Sequence, residues 1–328
     1  VVAVTTRAVR RVAGTLHLRR SSCWLEPDDE RIRGPIVLPP VKRSKEVVDG
    51  HAAVAELVRH PEFATETPEG RLLAVLGPPG EPEVEVHKIL LAHSVEDEHP
   101  PEVLAEIEGL GSAIDEETAS GREDLTGIPF VTIDPADARD HDDAVFVERR
   151  EDGGYRAWVA IADVAHYVRP GTALDAEARR RAFSVYLPNR AIPMLPPTLS
   201  AGLCSLVPDE NRLCLCVELV VRPTGTVRRS RVVTATIRSR ARLSYESVAH
   251  ALGFSMDAPA DPAAEARRDE LRVMWDLAVV LRGRRLRRGA LNLDVPETRV
   301  VVDPSSGAPI AVERRGQDPG VRKAYRLI

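Results

Sequence analysis

The sequence is short of aromatic residues, cysteines and long apolar runs, and each shortage excludes something. No apolar stretch approaches the ~18 residues that a membrane-spanning helix requires, so no membrane partner is expected. No charged segment leading into an apolar core marks a secretory leader, and the expected setting is cytoplasmic. The four cysteines are Cys23, Cys204, Cys214 and Cys216. Only Cys214 and Cys216 are neighbours, and no second pair stands at metal-binding spacing, so disulfide and zinc frameworks are both disfavoured. They read as small buried hydrophobes in a reducing compartment. Aromatics make up 4% of the chain, so each one that can stack carries more weight. The chain opens on Val1 rather than methionine, which suggests a piece of something longer.

What is present is ordinary in bulk and unusual in arrangement. At 328 residues, two or three domains fit. The net charge of −5 does not by itself suggest a polyanionic partner. Its distribution does. Arg179–Arg181 form one basic cluster, Arg228, Arg229, Arg231, Arg238, Arg240 and Arg242 a second, and Arg282, Arg284, Arg285, Arg287 and Arg288 a third. The acidic excess lies between residues 95 and 124. Arginine runs are also common on solvated helix faces, so each cluster has a plainer reading beside the polyanion one.

The densest chemistry lies between two short apolar runs, 130–133 and 144–147, which read as buried strands. Between them Asp134, Asp140, Asp142 and Asp143 form a D-x5-D-x-D-D pattern. Crowded carboxylates raise one another's pKa, and a divalent cation offsets the repulsion. An all-oxygen, all-acidic donor set suits Mg²⁺, with Mn²⁺ as the alternative, rather than Zn²⁺. Aspartates also serve as turn and cap residues; four of them boxed between apolar strands favour the metal reading. A calcium loop counted from Asp140 finds Asp142 and Glu151 in place, but Ala144 and Val145 stand where a ligand and a glycine are required. A metal-dependent phosphodiester hydrolase is the sharper expectation.

Residues 1–94 read as a small β domain of about five short strands, an OB-like barrel. The strands lie near 12–18, 22–27, 36–38, 52–58 and 70–77. Arg19, Arg20 and Trp24 are candidates for a nucleic-acid face, although a core position is the favoured reading for Trp24. The histidines of this region show no ligand spacing. Residues 95–125 form an acidic connector with a helix from Glu102, started by Pro101 and ended by Gly109 or Gly111. The remainder, 126–328, reads as a mixed α/β domain. Strands 144–149 and 156–164 form a hairpin across Asp152-Gly153-Gly154. Asp163 either lines the metal pocket or caps the following turn, with the cap slightly preferred. Proline-rich segments around Tyr186 are rigid. A turn and helix over 199–206 leads into long strands from Arg212 and Arg231. A helix capped by Ser244 follows, then a looped-out insert over 255–264, a long helix over 266–288 and a final hairpin.

The order of motifs resembles the RNase II/RNase R exoribonucleases, closer to RNase R. The resemblance rests on Thr132-Ile133-Asp134, Ala138-Arg139-Asp140-His141-Asp142-Asp143-Ala144, Trp158 to Val164, Ser184-Val185-Tyr186-Leu187-Pro188, Ile192-Pro193-Met194, Leu203-Cys204-Ser205-Leu206, Ala241-Arg242-Leu243-Ser244-Tyr245 and Arg288-Gly289-Ala290-Leu291. It implies an α+β chain: a cold-shock-type barrel followed by the N-terminal portion of an RNB catalytic domain. It also implies a monomeric Mg²⁺-dependent hydrolase that processively degrades single-stranded RNA from the 3′ end to nucleoside 5′-monophosphates. By position, Asp134, Asp140, Asp142 and Asp143 are the implied metal ligands, with Asp142 and Asp143 catalytic. Tyr186 and Tyr245 are the implied substrate contacts. Family members continue with a glutamate-rich helix, a later arginine that stabilises the reacting phosphate and an S1-type barrel. None of these is in this sequence, so the chain by itself is expected to be weak or inactive. A non-catalytic RNA-binding protein and a metal-dependent DNA nuclease are the competing readings.

Overall fold

The computed structural model describes residues 10–42, 44–61, 63, 65–110, 114, 118, 120–291, 297–315 and 318–327. They group into two compact units. Gly111, one of the two expected helix stops, lies outside the described residues.

The first unit holds residues up to His99, with 186–192 and 299–313. Its strands are β1 (Arg11–Leu18), β2 (Cys23–Pro27), β3 (Ile36–Leu38), β4 (Ala52–Arg59) and β5 (Glu69–Gly77), closed into a barrel in the order β1-β2-β3-β5-β4. Burial alternates strictly along β1, because successive side chains of a strand point to opposite faces. Val12, Leu16, Leu18, Cys23, Leu25, Ile36 and Leu38 fill the interior. Gly14 is required by close approach, since a Cβ there would stand 2.0 Å from the Glu26 carbonyl oxygen. A helix absent from the sequence reading, α1 (Pro82–Ala92), follows the barrel. It starts with Pro82 in its first turn and buries only Val84 and Leu90, a stripe too thin to be read as amphipathic.

The second unit is built from 100–185, 193–298 and 314 onward. Helix α2 (Pro101–Glu108) begins at a proline and ends at Gly109. The strands are β6 (Glu123–Asp124), β7 (Val131–Asp134), β8 (Asp143–Arg149) and β9 (Tyr155–Ala162), then β12 (Asn211–Val221), β13 (Val227–Arg238) and β14 (Ala241–Ser244). They form one sheet in the order β14-β7-β8-β9-β12-β13-β6. Two short ribbons fall mostly on the residues counted with the first unit: β10 (Val185–Tyr186) with β11 (Ala191–Ile192), and β15 (Glu297–Val302) with β16 (Pro309–Arg315). The expected hairpins β8–β9 and β12–β13 both form.

Each face of the large sheet carries a core, while much of β13 and the residues Ile161 and Leu215 stay exposed. Trp158, Ala160 and Ala162 of β9 join one core with Phe130, Cys214 and Cys216, while Tyr155 and Ala157 join the other with Val131, Leu243 and Leu271. Helices α3 (Val164–Tyr167) and α4 (Ala173–Arg181) follow β9. Helices α5 (Tyr245–Ala251), α6 (Pro262–Glu265), α7 (Arg268–Arg287) and α8 (Val321–Ala324) come after β14. The last three residues of the expected loop 255–264 are thus taken by the start of α6. The expected turn and helix near 199–206 is a π-helical turn, Thr198–Leu203.

Candidate functional site

The carboxylates meet at one end of the large sheet. Val131 of β7 pairs antiparallel with Val145 of β8, so the last residue of β7, Asp134, and the first of β8, Asp143, emerge at the same end. On its other side Asp134 is in register with Ser244 of β14. The loop between β7 and β8 carries Asp140 and Asp142, both exposed, and its backbone is pinned from three directions. Arg242 donates to the carbonyls of Ala136 (3.3 Å) and Ala138 (2.9 Å). The Ala162 amide donates to the Asp142 carbonyl at 2.8 Å, and the Leu206 amide to the His141 carbonyl at 2.7 Å. The buried hydroxyl of Ser205 accepts from the His141 amide at 3.1 Å. His141 itself is 1% exposed, and its Nδ1 sits 2.7 Å from a carboxylate oxygen of Asp134.

The electrostatics follow from this crowding. Burial first, then the neighbouring charges of Asp142 and Asp134, push the Asp143 carboxyl up to about 6. The Tyr245 hydroxyl is pushed up to about 12 by burial, with Asp134, Tyr325, Asp143 and Asp142 adding to it. Tyr245 follows directly on Ser244, the β14 partner of Asp134, which places it at the carboxylate end of the sheet. Among the described residues, no three acidic, histidine or cysteine side chains are grouped tightly enough to form a ready-made metal cage. The donor set nevertheless fits a hard divalent cation: it is all oxygen, and a positive ion would relieve the crowding that raises Asp143. His141 and Ser205 have no site role in the sequence reading. The available signal was His141's place between Asp140 and Asp142.

Other expected positions fall differently. Asp163 is a cap: its carboxylate accepts from the His166 amide and pairs with Arg122 at 2.6 Å. Tyr186 is 77% exposed on the β10–β11 ribbon. The first basic cluster is engaged in ion pairs. Arg179 pairs with Asp175, while Arg180 and Arg181 share the buried Glu177. In the second cluster, Arg231 binds Glu123 and Glu218, Arg240 donates to the Thr126 carbonyl and Arg242 braces the aspartate loop. Arg228 and Arg229 remain exposed, as do Arg285, Arg287 and Arg288 of the third cluster. Trp24 is a correction to the favoured core position. It lies outward between the buried Cys23 and Leu25, with its ring stacked on His17 at 5.2 Å and the Arg19 guanidinium 5.7 Å from its centre.

Residues 122–322 match the RNB domain family, and residues 24–100 match the cold shock domain family. The chain belongs to the RNB-domain family. It is 38% identical over 292 residues to Ribonuclease R of Vibrio cholerae, covering 89% of this chain and 35% of that relative. The chain spans about a third of the length of this relative and of Ribonuclease R of Escherichia coli, to which it is 36% identical over 301 residues. Among solved structures, Mycoplasma genitalium RNase R in complex with ribose methylated single-stranded RNA superimposes with a TM-score of 0.86 at 26% identity, over 99% of this chain and 50% of that one. Yeast Ssd1, described as a pseudonuclease, shares the fold with a TM-score of 0.69 at 20% identity, over 87% of this chain and 35% of that one. The RNB match contains all four aspartates, Tyr186 and Tyr245, and the cold-shock match contains Trp24.

Proposed function

We propose that this RNB chain serves in a hydrolytic 3′→5′ exoribonuclease that degrades single-stranded RNA processively to nucleoside 5′-monophosphates. The observation that carries the reading is the carboxylate end of the sheet, where burial and then Asp142 and Asp134 raise Asp143 to about 6 and a buried imidazole and hydroxyl brace the loop. Asp134, Asp140, Asp142 and Asp143 would hold Mg²⁺ or Mn²⁺, and the bound ion would supply an activated water and stabilise the leaving oxygen. His141 orients Asp134, and Ser205 and Leu206 hold His141 in turn. Tyr245, whose hydroxyl stays protonated at neutral pH, offers the substrate a hydrogen-bond donor beside the carboxylates. Tyr186, exposed on a proline-bounded ribbon, offers a ring on which any base can stack without sequence preference. The segments 1–94, 95–125 and 126–328 would act as RNA-guiding barrel, connector and catalytic domain of a cytoplasmic monomer.

A second reading is RNA binding without hydrolysis. The outward Trp24, His17 and Arg19 favour it, because such a surface binds single strands without any carboxylate. One experiment separates the two. The protein expressed from its natural gene is incubated with 5′-labelled single-stranded RNA, with Mg²⁺ or with chelator, beside Asp142→Asn. Stepwise shortening from the 3′ end that requires Mg²⁺ and Asp142 supports the exonuclease. Retained binding with no shortening in the unmutated protein refutes it in favour of the binder. A parallel DNA strand cut equally well would point to a nuclease that ignores the 2′-hydroxyl.

A further inference from the structure

Tyr245 opens helix α5, directly after its cap. Ser244 accepts from the Ser247 amide, and the Ser247 hydroxyl accepts from the Ser244 amide, a reciprocal box that fixes the backbone at the helix start. A fixed backbone does not fix a tyrosine ring, which still rotates about its side-chain bonds. Something else must hold the ring at the carboxylate end of the sheet, where Ser244, the residue before it, pairs in register with Asp134.

The segment from Asp318 to Leu327 supplies a support. It is docked by contacts that do not involve Tyr325. Asp318 accepts from the Ser255 hydroxyl and from the Gly320 amide. Gly320 packs so closely that a Cβ there would lie 2.2 Å from the Phe254 carbonyl oxygen. The Lys323 ammonium lies 5.2 Å from the centre of the Phe254 ring, and Val321 and Ala324 are buried in the core that also holds Val248 and Ala251 of α5. The anchored segment presents Tyr325 face to face with Tyr245, with ring centres 3.7 Å apart and planes 16° apart.

We propose that Tyr325 is a positioning residue that holds the Tyr245 ring at the carboxylate end of the sheet, so that its free face, edge and hydroxyl are presented to the RNA. This rests on the exoribonuclease reading for what Tyr245 meets, and it adds a residue to which the sequence reading gave no role. An unsupported ring samples several rotamers, and the fraction competent to contact substrate falls accordingly. The loss is in substrate engagement rather than in the chemical step.

The test uses the protein expressed from its natural gene and measures KM and kcat on single-stranded RNA. Tyr325→Ala is expected to raise KM about tenfold with a much smaller change in kcat, and Tyr325→Phe, which keeps the ring, to restore it. Tyr245→Ala should raise KM similarly, and the double variant should be no worse than Tyr245→Ala alone, because the two residues act as one unit. Tyrosine-selective NMR supplies a readout independent of turnover. The chain has five tyrosines, and the ring-current shift of Tyr245 should vanish in Tyr325→Ala and persist in Tyr325→Phe. An unchanged KM in Tyr325→Ala, or an effect that adds in full to that of Tyr245→Ala, overturns the proposal. So does an unchanged KM in Tyr245→Ala; if Asp142→Asn still abolishes shortening, the nuclease reading survives that failure. If the unmutated protein binds RNA without cutting it, the same criteria apply to the dissociation constant in place of KM.

Discussion

The barrel and the seven-stranded sheet divide labour differently among their side chains. In the barrel β1 and β2 turn one face to the core, and the opposite face carries His17 and Trp24, which the interior does not use. In the sheet both faces carry a core, with Ile161, Leu215 and Val232 left exposed, and the clustered carboxylates sit at the strand ends. There the polar groups that shape the site, His141 and Ser205, are themselves core residues. A barrel with one spare face lets binding and stability reside in different residues. A doubly covered sheet forces them together except where a loop lifts a side chain clear, as at Asp142.

The largest expected effect tests that exception. Asp142→Asn should lower turnover by about a thousandfold or more while leaving the melting temperature within about 2 °C of the parent, since an exposed side chain holds little of the fold. A matching loss of stability, measured by thermal denaturation, would erase the distinction. Next comes His141→Ala. Removing a buried ring that partners Asp134 should cost about 3 kcal/mol in urea denaturation and reduce turnover as well. Loss of turnover alone would show that the brace is not part of the fold.

A third expectation concerns Glu177, pushed down to about 2 by Arg180 first and then Arg181. A depressed carboxyl contributes stability above its unfolded pKa near 4.5 and loses it as pH falls towards 2. Glu177→Gln should therefore cost about 2 kcal/mol at pH 7, after allowance for the partly exposed Arg180. The gap between parent and variant should close as pH is lowered through that window. A constant gap would mean that burial of the side chain, not its charge, matters. The smallest effect is on the barrel. Trp24→Ala should weaken single-stranded RNA binding about fivefold, equivalent to about 1 kcal/mol, with a smaller change in stability. If stability falls more than affinity, Trp24 serves the core and the contrast with the sheet is lost.

Most elements of the fold were legible where a local period or a turn residue marks them. The alternation of Val12, Gly14, Leu16 and Leu18 announces a half-buried strand, Asp152-Gly153-Gly154 announces a hairpin, and Ser244 with Ser247 announces a helix start. Helix α1 was not legible, because a helix that buries only Val84 and Leu90 leaves no stripe to read. Trp24 was placed on the wrong side because a large aromatic is more often buried than not, whereas the pairing of His17 with Trp24 turns both rings outward. Arg179–Arg181 could be read as a polyanion patch or as a solvated helix face; Glu177 lies within one helical turn of Arg180 and Arg181 and pairs with both.

The sequence by itself determined the family, the two-part α+β plan and the four-aspartate pattern with its preference for a hard cation, because motif order, strand period and donor chemistry are properties of short stretches. The tertiary structure alone decided which aspartates feel one another, that a buried histidine and serine brace their loop, and that Tyr325 lies on Tyr245. Electrostatic and stacking interactions depend on distances between side chains, and for residues so far apart along the chain only the packing of the sheet and its helices sets those distances.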